Sequence, residues 1–323
     1  MSGKFSLKEL DNNFDFWEKL IINSPQCNIY LSSNFLNNLN RKIKYFLIYK
    51  SNEPVAGISL LIDNNEQFTE LDDLVVYNGI FFIDRTKKRS TGTRAEQFEI
   101  TEFAIKELNK LYNTIVMTLH PKINDIRPFL WYNYNSKNNK FFINIKYTSY
   151  LEFDKKNDNI DFLLPRMSSI RRQQIRYGAE SRSRVIESND IEKFIIYYSK
   201  LLDGTGNALD DNSKLRLKNL IKNLLLSKQA IMFECQDIKK NTTYMTIFSN
   251  FNYKSIYLFG APNYPNQRAF DGTFTLWESF RILFNKYKIL EIDLEGVNSP
   301  NRGKYKLSFG GKLQSYFQVT LNY

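Results

Sequence analysis

Apolar positions along this chain repeat one succession of spacings twice. In the first half, the runs Tyr45–Tyr49 and Val55–Ile62 flank a polar turn at Asn52–Pro54 and predict a hairpin, with a third strand over Leu74–Phe82. A polar, basic loop from Asp84 to Thr93 follows. The next segment places Phe98, Thr101, Ala104, Ile105 and Leu108 on one side of a helix from about Arg94 to Tyr112, and Thr114–Leu119 reads as a short strand. In the second half the hairpin is Ala230–Cys235 with Thr242–Phe248, and the third strand is Ser255–Phe259. The loop Ala261–Gly272, the helix Thr273–Tyr287 and the strand Ile289–Leu294 complete the second copy.

Hairpin, strand, loop, crossing helix and strand, in that order, build a mixed sheet flanked by helices, with the loop at the strand's C-terminal end facing ligand. Met twice, the order predicts an α/β protein (α+β, mixed sheets) of two similar lobes. The charged stretch 154–160 carries no core pattern and is the expected linker between a lobe over 1–153 and one over 161–323. A length of 323 residues also suits two cores better than one.

Composition narrows the function classes. A hydrophobic fraction of 42%, with 15% aromatic residues, excludes a disordered chain. Cys27 and Cys235 stand far apart without zinc-like spacing, which excludes a disulfide framework, and His120 is the sole histidine, so no metal is expected. The first 20 residues mix Lys8, Asp11, Asp15, Glu18 and Lys19 with apolar ones, unlike a signal peptide, and no uncharged apolar stretch nears the roughly 20 residues of a membrane span. The expectation is a soluble, cytoplasmic protein with no transmembrane segment. Forty-five Lys and Arg against 34 Asp and Glu leave +11, which suits nucleotides, RNA, anionic headgroups or simply a solvated surface.

Four places could carry chemistry. At the first-half helix, Arg89, Gly92 and Thr93 combine charge, a small residue and a helix N-terminus, where free N–H groups favour a phosphate. The second-half loop has Asp271 or Thr273 placed to cap its helix. Between Ser168 and Gly178, Arg172 and Arg176 recur at helical spacing and could clamp a phosphate or carboxylate. At the end of the last second-half strand, Asp293 and Glu295 alternate and so share one face, from which one could accept a proton from an attacking amine. His120 is a candidate base as well, and equally an ordinary hydrogen-bonded residue at a strand end.

The run Asp293-Leu-Glu-Gly296, followed after a short loop by Tyr305-Lys306-Leu-Ser-Phe309-Gly310-Gly311, resembles the closing signature of the Fem-type transferases, in which an aromatic-lysine pair precedes a Phe-Gly-Gly turn. The helix from Asp271 through Trp277 and Glu278, the arginine-rich Ser168–Gly178 segment and the pseudo-repeat also resemble that family, across essentially the whole chain. The Arg89 to Arg94 loop is similar to the pyrophosphate loop of GNAT N-acetyltransferases, with Arg94 where their last small residue belongs. The segment His120–Phe129 resembles members tied to cell-surface polysaccharide loci.

This resemblance implies two tandem GNAT-like lobes and acylation of an amine by acyl-CoA or another acyl carrier, with an aminoacyl-tRNA as donor in the Fem branch. It ties Lys306 to the chemistry, with Tyr305 beside the substrate, and it leaves Lys122 and Arg127 to hold a nucleotide diphosphate. The expected acceptor is a nucleotide-linked amino sugar or related glycan precursor. Peptidyl transfer from aminoacyl-tRNA, and a noncatalytic nucleic-acid- or partner-binding protein, are the alternatives. The segment Ser24–Leu36 lacks the lysine found in enzymes that build peptidoglycan bridges, and no segment holds the heptads of a long helical hairpin.

Overall fold

Contacts along the backbone divide the chain into two compact units, and the division falls at Tyr147/Thr148, before the expected linker. The computed structural model describes residues 4–84 and 90–322. Ile160, inside the stretch read as a linker, is fully buried in the second unit's core. The C-terminal residues from Ser315 belong with the first unit, so that unit is built from both ends of the chain.

In the first unit, β1 (Phe5–Glu9), α1 (Phe14–Ile22) and α2 (Ser33–Asn37) precede the hairpin β2 (Lys42–Lys50) and β3 (Glu53–Ile62). Asn13 caps α1 by accepting from the Phe16 N–H, and Trp17 on that helix donates to the Leu31 carbonyl at 2.8 Å. β1, β2 and β3 are antiparallel neighbours, and β3 also pairs with the short β4 (Thr69–Glu70) and with β5 (Gly79–Phe82). The strand expected over Leu74–Phe82 is thus confined to its last four residues, beginning at Gly79 with φ of +93°. The helix α3 (Ser90–Leu111) starts before the predicted Arg94, and β6 (Ile115–Thr118) follows. A short α4 (Arg127–Leu130) comes next, and β7 (Phe142–Glu152) runs across the division. Ile58, Ile80, Ile105, Leu108 and Ile115 form the centre of this unit's core.

The second unit adds α5 (Ser169–Glu180), β8 (Arg184–Ser188), α6 (Ile191–Asp203) and α7 (Asp211–Leu226) before its hairpin β9 (Ala230–Gln236) and β10 (Thr242–Ser249). Then come β11 (Lys254–Pro262), α8 (Asp271–Tyr287), β12 (Glu291–Asp293), α9 (Pro300–Leu307) and β13 (Lys312–Leu321), whose last residues pair with β6. Strands β8 to β11 are antiparallel in sequence order, β12 lies parallel to β11, and Tyr150–Glu152 of β7 pair antiparallel with β12. Phe248, Phe280 and Tyr257 meet on the α8 face, whereas Phe259 packs on Phe194 and Tyr198 of α6. Among the described residues no helix is long and apolar enough to cross a membrane.

Candidate active site

The two parallel strands of the second unit part company where their chemistry begins. β11 and β12 pair only through Lys254/Glu291, Ser255/Ile292 and Ile256/Asp293. Beyond Ile256, β11 keeps β10 as its strand neighbour, and a bulge at Leu258 shifts its register so that Phe248 opposes Tyr257 and Ile247 opposes Phe259. After Asp293 the chain turns away at Glu295, whose φ is +63°. A cavity of about 380 Å³ fills the gap, at the C-terminal ends of parallel strands where such folds take ligands.

Lys306 forms one side of this cavity. It sits in the last turn of α9, just before the Phe309-Gly310-Gly311 segment. Its Nζ lies 3.7 Å from Glu295 Oε2, 3.5 Å from the Gly296 carbonyl oxygen and 5.5 Å from the Tyr257 ring centre, and its side chain is 12% exposed. Glu295 also lines the cavity. Asp293 does not share that role. It is buried, with Oδ1 accepting from the Thr148 hydroxyl and, at 2.7 Å, from the Glu295 N–H, so it fixes the turn that presents Glu295.

Three tyrosine hydroxyls converge on the same space. A methyl group on Gly260 would lie 2.0 Å from Tyr257 Oη and 2.8 Å from Tyr244 Oη, so only glycine lets both hydroxyls sit over β11. Tyr305 Oη, 3.4 Å from where a Gly272 side chain would begin, is buried and has no hydrogen-bond partner among the described residues. Burial pushes all three phenols upward, most for Tyr257 and Tyr305, so they remain neutral donors. A phenol raised in the fold and near 10 when unfolded adds stability below that pH and loses it as pH rises and the unfolded chain ionises. The thermal midpoint is therefore expected to fall most steeply above about pH 10, with a smaller decline from about pH 9 as the Cys235 thiol, pushed up by burial to about 11, ionises in the unfolded chain; a midpoint unchanged between about pH 9 and 11 would contradict these environments.

Arg171 is the residue missed in the arginine cluster. Its guanidinium lies over the Tyr305 ring at 4.5 Å and donates to Ser308 Oγ at 2.7 Å, Thr273 Oγ1 at 2.8 Å and Gln174 Oε1. Thr273 in turn donates to Gln174 Oε1 at 2.6 Å, and Gln174 Nε2 donates to the Ala269 carbonyl at 3.0 Å. These side chains of α5 roof the first turn of α8, where Asp271, Gly272 and Thr273 are all buried. Neither Asp271 nor Thr273 caps that helix. The Asp271 carboxylate accepts from the Arg268 backbone N–H at 2.8 Å and from its guanidinium at 2.7 Å.

The outward stripe of α5 carries the arginines selected from spacing. Arg172 donates to the Met167 carbonyl at 2.6 Å, and the exposed Arg176 pairs with Glu180 at 3.6 Å. The other candidates lie in the first unit. His120 is buried, with Nδ1 accepting from the Lys122 N–H at 3.1 Å and its ring edge-on to Tyr77, while the Lys122 side chain is exposed. Arg127 is held by Asp125 and lies 5.3 Å from the centres of Phe98 and Trp131. Gly92 stands exposed inside α3, and Thr93 lines a pocket of about 50 Å³ with Asp84 and Glu96. Arg89 lies outside the described residues. Among the described residues no group of three or more His, Cys, Asp and Glu side chains could hold a metal ion.

No protein-family model and no curated protein matches this sequence. Solved structures do match its fold. FemX superposes over 96% of both chains at a TM-score of 0.67 and 12% identity. A tandem GNAT protein from the clavulanic acid biosynthesis pathway covers 98% of each chain at 0.53 and 10% identity. The chain has a tandem GNAT fold. The C-terminal domain of a putative lysylphosphatidylglycerol synthetase from Agrobacterium fabrum shares this fold at a TM-score of 0.56 and 10% identity, over 97% of this chain and 93% of that one. The cavity at the open end of β11 and β12 is lined by Lys306 together with Tyr244, Tyr257 and Tyr305.

Proposed function

We propose that this protein transfers an aminoacyl group from the ester of a charged tRNA to a primary amine, in the cavity of the second unit. The observation that carries the reading is Lys306 Nζ, held in the cavity wall 3.7 Å from Glu295. In the proposed step the neutral amine nitrogen attacks the ester carbonyl carbon and an N–C bond forms. Negative charge collects on the carbonyl oxygen beside the Lys306 ammonium and the tyrosine hydroxyls. Collapse breaks the C–O bond to the ribose, and the proton lost by the amine passes through water to the departing oxygen. The acceptor proposed is the amine of a nucleotide-linked amino sugar or related glycan precursor, as the sequence resemblance implies.

The state of the α8 N-terminus supports an RNA ester over acyl-CoA. A diphosphate held by a helix N-terminus needs access to its first N–H groups. Here that turn is buried under Arg171 and Gln174, and the Arg268 guanidinium beside it is already taken up by the buried Asp271 carboxylate. These residues do not fit the diphosphate of coenzyme A. The surplus of +11 would attract an RNA donor, as it would other anions.

The test uses hydroxylamine as a small acceptor and compares a charged tRNA pool with acetyl-CoA. Aminoacyl hydroxamate is expected above the uncatalysed rate, falling steeply as salt rises. Acetyl transfer from acetyl-CoA, with none from charged tRNA, would overturn the reading.

A further inference from the structure

The cavity is divided by chemistry. Every charged residue that lines it, Glu295, Arg302 and Lys306, comes from the segment that leaves β12 and forms α9. The rest of the lining carries none: Leu201 and Leu202 from the end of α6, with Leu258 and Phe259 from the bulged part of β11, supply its apolar surface. α6 is anchored there by Phe194 and Tyr198 packed on Phe259, so the apolar wall is part of the core rather than a loose flap.

An α-aminoacyl group has three parts to place: ammonium, carbonyl and side chain. Its nitrogen and carbonyl oxygen stand about 3 Å apart, because only the α-carbon and the carbonyl carbon separate them. The Glu295 carboxylate and Lys306 ammonium, 3.7 Å apart, offer opposite charges on that scale. With the ammonium on Glu295 and the carbonyl oxygen on Lys306, the side chain is left to the uncharged lining, whose aliphatic part is Leu201, Leu202 and Leu258. A charged side chain would be desolvated there without a partner.

Resting on the donor reading above, we propose that the site selects a donor whose aminoacyl side chain is neutral and aliphatic, of leucine size rather than glycine or alanine size. Each added methylene that reaches an apolar wall favours the larger donor, and such pockets discriminate by about 10- to 200-fold.

The experiment acylates one tRNA transcript chemically with glycine, alanine, leucine or lysine, so that the RNA is constant, and measures kcat/KM for transfer to hydroxylamine. Leucyl transfer is expected to exceed glycyl and lysyl transfer by at least about 10-fold. Leu202→Glu is expected to turn the preference toward the lysyl donor. Equal rates from all four donors, or an order unchanged by Leu202→Glu, would overturn this inference alone. No transfer from any donor would overturn the underlying donor reading, and this inference with it.

Discussion

Lys306→Ala is expected to lower transfer about 100- to 1,000-fold while leaving the thermal midpoint nearly unchanged. The two effects separate because the lysine serves different partners at rest and in reaction. At rest it makes one ion pair with a partly exposed carboxylate at 3.7 Å, and such pairs add about 0–1 kcal/mol. In the reaction it would meet an oxygen gaining a full charge in a cavity with one apolar wall, where loss of a single such donor costs about 2.7–4 kcal/mol of transition-state stabilisation. Lys306→Arg should recover part of the rate, since the charge returns but in a planar fork that cannot occupy the same point. Steady-state transfer and thermal unfolding on the same preparations decide the matter. A rate within about 3-fold of the parent would remove Lys306 from the chemistry.

The hairpins β2/β3 and β9/β10 and the helix α8 were legible because burial on one face imposes a period on the sequence. The division between units was not. β13 returns the C-terminus to β6, and a long-range pairing of that kind leaves no local signature. α6 does carry one: Asp190 accepts from the Lys193 N–H as a cap, and Ile191, Phe194, Ile195 and Tyr198 recur at helical spacing. Its last turn supplies Leu201 and Leu202 to the cavity.

The arginine cluster shows how a correct period can select the wrong side. Arg172 and Arg176 are four residues apart and share a stripe, but so do Arg171, Gln174 and Gly178. Gly178 marks the second stripe as the one that another element approaches closely, because a side chain there would meet Phe274. Glu295 is legible from its alternation with Asp293 at the strand end, and Lys306 through the resemblance of its motif. Their partnership across the open strand ends depends on the turn that Asp293 holds, and spacing alone does not encode it.

That close approach yields the second large effect. Gly178→Ala would set a methyl carbon 2.2 Å from Phe274 Cγ and 2.6 Å from its Cβ. Rotating the Phe274 ring about its Cβ–Cγ bond moves neither atom; a different side-chain rotamer would be needed for the first contact, and the second can be relieved only by moving α5 or α8. In a free helix the change would gain about 1 kcal/mol of propensity, whereas forced overpacking costs about 1–3 kcal/mol and more where backbone must shift. The net is expected to be destabilising by about 1–2 kcal/mol, or a midpoint lower by about 2–8 °C. Gly204→Ala, at the C-cap of α6, meets only carbonyl oxygens at 3.5 and 3.6 Å and should leave the midpoint in place. Function should follow stability at Gly178 through a traceable route. If α5 lifts, Arg171 loses its place over Tyr305 and its bond to Thr273, the phenol beside Lys306 is no longer fixed, and transfer should fall about 10-fold even at temperatures where the variant is fully folded. A variant with a lowered midpoint but undiminished transfer would show that the α5 roof supports the fold without positioning the site.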